Sequence, residues 1–447
     1  MASKASQAGN VTRLLKKLVG KSTAETEEIV EKIIAYKSVA IKPLLKALEQ
    51  GSSFQVRMGA AQSLGYISGR RGIRPLMAAL TDSSINVQRI AADAITMIGS
   101  AAVEPLAKKL GDEDVRIRKW CASILGRLGK RSVVPALIDR LENEVPDVQK
   151  AIIVSVGDLR SKRASKVLQH MLENANVELV RSAAVALGQL KDESAIQSLI
   201  VCLRSANSEV RKTTSDSLAS IGKASVKPLI KMLRDPDENV RVAATRTLGA
   251  IGEKSAAKEL IQSLNDDSVT VRQSVVEALG QIGDSRAFSH LRKLLADDNH
   301  EVRFTAVRAV VNVRDSGAKA LLRLALEDGD WLIRLTAAQG LGGLADNGSV
   351  KRLCKTLRDD EWSVRRQAAS ALGNIGNRSA TIPLIQALYD PSIPVRQSAA
   401  TALGQIGDPR ALNALRRTSA DGNAELGAAI LQAIIDIETP HSAQSKD

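Results

Sequence analysis

The apolar residues of this chain fall in stripes that belong to helices. In VRQSAATALGQIG, which begins at Val395, the positions Val395, Ala399, Ala402, Leu403 and Ile406 lie at offsets 0, 4, 7, 8 and 11, one face of a helix with 3.6 residues per turn. Gly407 then stands where a helix stops in a left-handed residue, as do Gly252, Gly283 and Gly376 in equivalent stretches. A second stripe follows, marked by leucines four apart: Leu76 and Leu80, Leu260 and Leu264, Leu322 and Leu326, Leu353 and Leu357. Asp408, or a following Ser, is placed to cap this second helix. Within it proline enters only the first turn (Pro43, Pro75, Pro105, Pro135, Pro228, Pro383), where a missing N–H does no harm.

The helix pair recurs. The 17 residues VRQSVVEALGQIGDSRA from Val271 return at Val395 with 13 identities, 124 positions later, which is four periods of 31. A valine or a stand-in anchors each copy: Val56, Val87, Val115, Val148, Val180, Val210, Val240, Val271, Val302, Ile333, Val364, Val395 and Leu426. From Val240 onward every step is 31, whereas earlier steps wander between 28 and 33. With IKPLLKAL at Ile41 echoing IRPLMAAL at Ile73, about fourteen units occupy residues 24–437. One such pair cannot bury its stripes alone, so the units must stack and share cores. The predicted fold class is an all-α solenoid with a period of about 31 residues, in place of the three domains that 447 residues would otherwise suggest.

At the N-terminus, residues 1–23 contain VTRLLKKLVGK, an amphipathic helix with Val11, Leu14, Leu15, Leu18 and Val19 on one stripe. It is expected to close the exposed core of the first repeat, or else to lie on an anionic membrane surface. Residues 438–447, ending in HSAQSKD, are expected to be a disordered tail.

Charge follows the same register. Asp82, Asp235, Asp266, Asp297, Asp328, Asp359, Asp390 and Asp421 each lie five residues before an anchor. Arg57, Arg116, Arg181, Arg211, Arg241, Arg272, Arg303, Arg334, Arg365 and Arg396 each lie one residue after. A carboxylate at a helix start can cap the backbone and also meet an arginine one turn on or in the adjacent unit. Repetition then predicts a structural ladder along the array.

The order Asp, four residues, Val-Arg, then AA, ALG and IGD resembles the HEAT repeat, in the short variety named after phycobilisome lyases. The resemblance spans nearly the whole chain. It implies a superhelix of about fourteen HEAT-like helix pairs with the second helices lining the concave side. Its functional implication is broad, since the repeat serves bilin lyases and their chaperone-like relatives, a deoxyhypusine hydroxylase, and many scaffolds.

Composition adds a partner class. Lys and Arg number 63 against 49 Asp and Glu, and residues 1–223 hold 34 of the former and 22 of the latter. Two further basic rows follow from register. One lies in the turn between the helices: Arg70 and Arg71, Lys130 and Arg131, Lys162 and Arg163, Lys191, Lys223, Lys254, Arg286, Arg314, Arg378 and Arg410. The other lies on the second helices: Lys46, Lys108, Lys109, His170, Lys231, Arg292, Lys293, Arg323, Lys355, Arg416 and Arg417. By the resemblance this latter row faces inward, and it is expected to bind an acidic protein partner.

A search for chemistry changes little. Cys121, Cys202 and Cys354 are isolated and form no CxxC pair. His170, His290, His300 and His441 are the only histidines, and the single pair His300-Glu301 cannot supply the ligands of a two-iron site. The recurring Gly-x-x-Gly of GQIG and GAIG reads as a helix terminus, and no catalytic motif stands in a suitable context. No metal or cofactor is indicated. Aromatics make up 2% of the chain, against a bilin pocket and against stacking of single-stranded nucleic acid. Trp331 and Trp362, 31 apart, are placed for a small contact patch or for partly buried packing. The sequence thus predicts a non-enzymatic, cytoplasmic scaffold, adaptor or assembly factor. A bilin-lyase-like or chaperone-like phycobiliprotein factor is one alternative, and a protein gripping a nucleic-acid backbone is another.

Overall fold

A computed structural model describes residues 4–312, 317–418 and 422–439. Helix follows helix from Lys4 to Glu438, with no strand among the described residues, in an α-solenoid. Two compact units divide the chain, Met1–Pro228 and Leu229–Asp447. The expected tail from residue 440 onward, Asp421 and Arg314 lie outside the described residues.

One repeat is built from a first helix, such as Glu238–Ile251 or Ile393–Ile406, a turn, a single 3-10 turn, and a short second helix such as Ala257–Gln262 or Leu412–Arg417. Side chains of Asp237, Ser268 and Asp330 accept backbone N–H groups at the starts of their helices. At the far end Gly252, Gly283, Gly376 and Gly407 adopt φ of 74, 64, 71 and 67°. Arg160, Lys191 and Ala345 make the same left-handed turn without glycine, which costs about 1 kcal/mol each. The anchors Val240, Val364 and Val395 and the second-helix leucines Leu260 and Leu353 are fully buried. By length and composition Ile85–Gly111 resembles a membrane-crossing segment. Gly99, at φ 81°, breaks it into the first and second helices of one repeat, whose Val87, Ile95 and Leu106 are core.

The first glycine of each Gly-x-x-Gly is a packing residue, and only the second ends the helix. A Cβ on Gly249 would lie 2.8 Å from Cα of Ala278, and one on Gly373 2.8 Å from Cα of Ala402. In the first unit, Gly65 meets Ala94 and Gly188 meets Ser217 at 2.9 Å in the same way. Successive first helices therefore touch at backbone distance. At three places the packing glycine is absent: Thr96, Ala219 and Val311 occupy its register, opposite Ile124, Thr247 and Gly340.

The arginine ladder joins neighbours. Arg241 Nε and Nη2 donate to Asp266 at 2.8 and 2.9 Å, while Nη1 donates to the carbonyl of Asp235 in its own loop at 2.9 Å. Arg57 with Asp82, Arg303 with Asp328, Arg334 with Asp359 and Arg365 with Asp390 repeat this fork, and Arg272 approaches Asp297 at 3.9 Å. Arg396 holds the same register. Each aspartate also accepts an N–H two residues on, as Asp266 does from Ser268 at 2.9 Å. Burial raises the Asp266 carboxyl, but the Arg241 and Ser268 donors hold it below the usual carboxylate range.

Two anchors are corrected by these bonds. Arg118, not Arg116, donates to the Asp112 carbonyl at 2.8 Å and pairs with Glu144, so Ile117 is the anchor and Val115 is an exposed first-turn residue. Arg116 folds back on Asp114 of its own cap at 2.7 Å. Likewise Leu179 is the anchor of its repeat, five residues after Asn174, whose side chain takes the loop N–H of Asn176. Arg181, one position beyond the ladder register, reaches Glu178 at 2.9 Å. With Ile117 and Leu179 restored, the anchors from Val56 onward step by 30 or 31 throughout. The first half departs from the 31-residue step only twice, by one residue each time.

The helix Lys4–Lys16 and the turn after it bury Val11, Leu15 and Leu18. Leu18 sits where a Cβ on Gly59 would be, 2.4 Å away, so the stripe faces the first repeats. Val19 is exposed.

Candidate interaction surfaces

Most of the second-helix cations lie on exposed faces of their helices. In the first unit Lys46, Lys108, Lys109 and His170 are exposed. Lys108 pairs with Glu104 at 2.9 Å and Lys109 with Asp112 at 2.6 Å, and His170 lies 3.7 Å from Glu173. Such solvated pairs hold their cations loosely. In the second unit Lys231, Arg292, Lys293, Lys355 and Arg417 are exposed, and Arg416 pairs with Glu438.

Arg323 does not belong to the row. It is half-buried and donates Nε and Nη2 to Asp346, both at 2.7 Å. The Asp346 side chain is 5% exposed, and the Arg323 guanidinium holds its carboxyl below the usual range. This is a second clamp between repeats. Leucine spacing alone could not distinguish a residue facing solvent from one reaching a carboxylate 23 positions on.

The turn cations differ between the units. In the second, Arg286 folds onto buried Asp284 at 2.7 Å and Arg410 onto buried Asp408, which also accepts from Thr381 Oγ1 at 2.8 Å. Repeats of the first unit mostly lack that aspartate. There Arg70, Arg71, Lys130, Lys162, Arg163, Lys191 and Lys223 are all exposed and form no ion pair among the described residues. Arg131 beside them donates Nε to the Leu159 carbonyl at 3.1 Å. One edge of the first unit therefore carries cations in four consecutive turns from Lys130 to Lys223, about one helix layer, ~10 Å, apart, and again at Arg70 and Arg71 beyond the uncharged turn Gly99–Ala102.

Trp331 and Trp362 open adjacent first helices and are 44% and 45% exposed, with the Arg366 guanidinium 5.7 Å from the Trp362 ring centre. The first unit shows a comparable row: Ile85, Val115, Val145 and Val177 are exposed at or beside the first helical position. Its signal was an apolar residue directly at the helix start, off the buried stripe. Burial pushes the Cys121 thiol up to about 12 and also raises Cys202 and Cys354. No group of three or more His, Cys, Asp and Glu gathers among the described residues, and His441 lies outside them.

The HEAT-repeat family model matches residues 41–108, 103–187, 226–311, 294–369 and 350–435, and the PBS lyase HEAT-like repeat matches residues 179–205. Comparison with curated proteins gives no match. Among solved structures, Kap95p, in work on its binding to RanGDP, aligns with a TM-score of 0.66 at 14% identity, over 98% of this chain and 72% of that one. The karyopherin Kap121p, bound to the extreme C-terminus of the protein phosphatase Cdc14p, gives 0.64 at 11% identity, over 91% and 54%. Kap95 with Nup1 gives 0.60 at 13%, over 98% and 68%. The chain thus spans little more than half of Kap121p, and at these identities the likeness is one of fold. With its repeats matched over residues 41–187 and 226–435, the chain belongs to the HEAT-repeat family.

Proposed function

We propose that this chain is a non-enzymatic scaffold or assembly factor that docks an acidic protein on the turn edge of its first unit, with the exposed second-helix cations beside it. The observation that carries this reading is the run of exposed cations at Arg70, Arg71, Lys130, Lys162, Arg163, Lys191 and Lys223 without carboxylate partners among the described residues. In the second unit Asp284 and Asp408 neutralise Arg286 and Arg410 at the same corner, and only Lys254 and Arg378 of its described turn cations stay exposed without an ion pair. Cations left solvated on a rigid frame steer an anionic partner and fix its register, and many weak contacts add along the edge. The fold supports a protein as the ligand: Kap95p and Kap121p were solved with RanGDP, Nup1 or a Cdc14p segment as partners.

The test is affinity capture from native, nuclease-treated lysate with three versions of the full chain. One is unaltered, one carries Arg70, Arg71, Lys130, Lys162 and Arg163 changed to Glu, and one carries Lys231, Arg292, Lys293 and Lys355 changed to Glu. A defined acidic protein should be retained by the first and third versions and lost from the second. Retention by the second version contradicts the reading. If proteins vanish on nuclease treatment and nucleic acid remains, the edge grips phosphates instead.

A further inference from the structure

First helices of the second unit pack by one rule until His300–Asn312 meets Trp331–Gly343. Elsewhere a glycine of one helix rests on an alanine of the next, as Gly280 does on Ala309 at 2.9 Å. Here the partners are exchanged: Val311 stands in the glycine register, and a Cβ on Gly340 would fall 2.7 Å from its Cγ2. The exchange leaves a cleft of about 630 Å³ across the three first helices from Val269 to Gly343. Ala309 and Val311 line its apolar part, and Glu277, Gln281, Arg308 and Gln339 its polar part.

Gly343 keeps the mouth open. A Cβ there would meet nothing within 4 Å, and its φ is not left-handed, so neither packing nor backbone geometry demands glycine. At the same register other first helices carry Tyr66, Met97, Gln189 or Gln405. Two residues on, where glycine elsewhere makes the left-handed turn, this repeat uses Ala345 at φ 44°. Glycine is absent where the backbone favours it and present where only the cleft benefits.

The polar groups define the ligand. Arg308 is exposed and forms no ion pair among the described residues, and its guanidinium is held 5.7 Å over the Phe304 ring, which orients the charge without cancelling it. Gln281 and Gln339 are exposed, and each amide offers a donor and an acceptor, the complement of a peptide unit. Glu277 can take a further N–H and repels a run of phosphates. We propose that this cleft binds an extended segment of a partner protein. A small apolar side chain of the segment sits on Val311 and Ala309, its main chain bonds to the two glutamines, and an adjacent carboxylate meets Arg308. The site lies within the second unit and does not depend on the cationic edge of the first.

The test uses a phage-displayed library of linear peptides, selected on the full chain and depleted on the Gly343→Gln chain. Enriched peptides should carry Asp or Glu beside a small apolar residue. Synthetic copies should bind Gly343→Gln and Arg308→Glu about tenfold or more weakly by fluorescence anisotropy. They should bind the variant with glutamates at Arg70, Arg71, Lys130, Lys162 and Arg163 unchanged. Melting of Gly343→Gln should stay level or rise; should it fall, Arg308→Glu alone decides. A library that yields no peptide distinguishing the chains, or peptides that bind Arg308→Glu as tightly as the unaltered chain, overturns the proposal.

Discussion

Arg334 shows what one ladder residue does. It takes both oxygens of Asp359 at 2.7 and 2.8 Å and the Asp328 carbonyl at 2.9 Å, joining two repeats in one side chain. Replacing it with Ala leaves a carboxylate whose side chain is 9% exposed without its main donor. Loss of about 2 kcal/mol in urea unfolding is expected, and Arg334→Lys should recover only part because an ammonium cannot form the fork. The Arg57 hydrogen bond holds the Asp82 carboxyl low; Asp266 and Asp359 are also held low, burial being outweighed by Arg241 and Arg334. Depressed carboxyls contribute stability that is complete above their unfolded value near 3.9 and is lost as pH falls through the folded values. Thermal melts should therefore be level from about pH 7 to 5 and fall below about 4, with a shallower fall in Arg334→Ala. A rise in stability below pH 4 would count against the ladder. The spacing of Asp and Arg was legible in the sequence, but the direction of pairing was not, because a carboxylate six residues back and one 25 residues ahead fit the same period. Val115-Arg116 imitated an anchor since a first-turn valine next to arginine has the same spelling.

Among the elements, the first helices set the geometry through small residues. Gly373→Ala brings a Cβ within 2.8 Å of Ala402 Cα, and separating two helices to admit it should cost about 1–3 kcal/mol. Ala345→Gly should do the opposite, raising stability by about 1 kcal/mol by relieving φ 44°. Both are read from urea midpoints at constant m. Helix boundaries and left-handed stops were legible because stripe and punctuation coincide in ALGQIGD. The packing role of the first glycine was not, since a motif read within one helix says nothing of what the next helix places opposite it. The cleft beside Val311 was hidden for the same reason: VVNV looks like an ordinary apolar run until the glycine it replaces is known to be a contact.

Across the whole molecule, the sequence carried the array, its period and the excess of cations before residue 223. The second-helix row read from register loses Arg323, which the structure pairs with Asp346. What distinguishes the first unit is the loss of a turn aspartate, visible only once Asp284 and Asp408 are seen neutralising Arg286 and Arg410. The central claim is that this unneutralised edge is where an acidic protein docks. Its most direct measurement is amine-reactive cross-linking and mass spectrometry of the complex captured after nuclease treatment. Cross-links to the partner should concentrate on Lys130, Lys162, Lys191 and Lys223. Cross-links concentrated on Lys293 and Lys355 of the second unit, with those four lysines untouched, would contradict it.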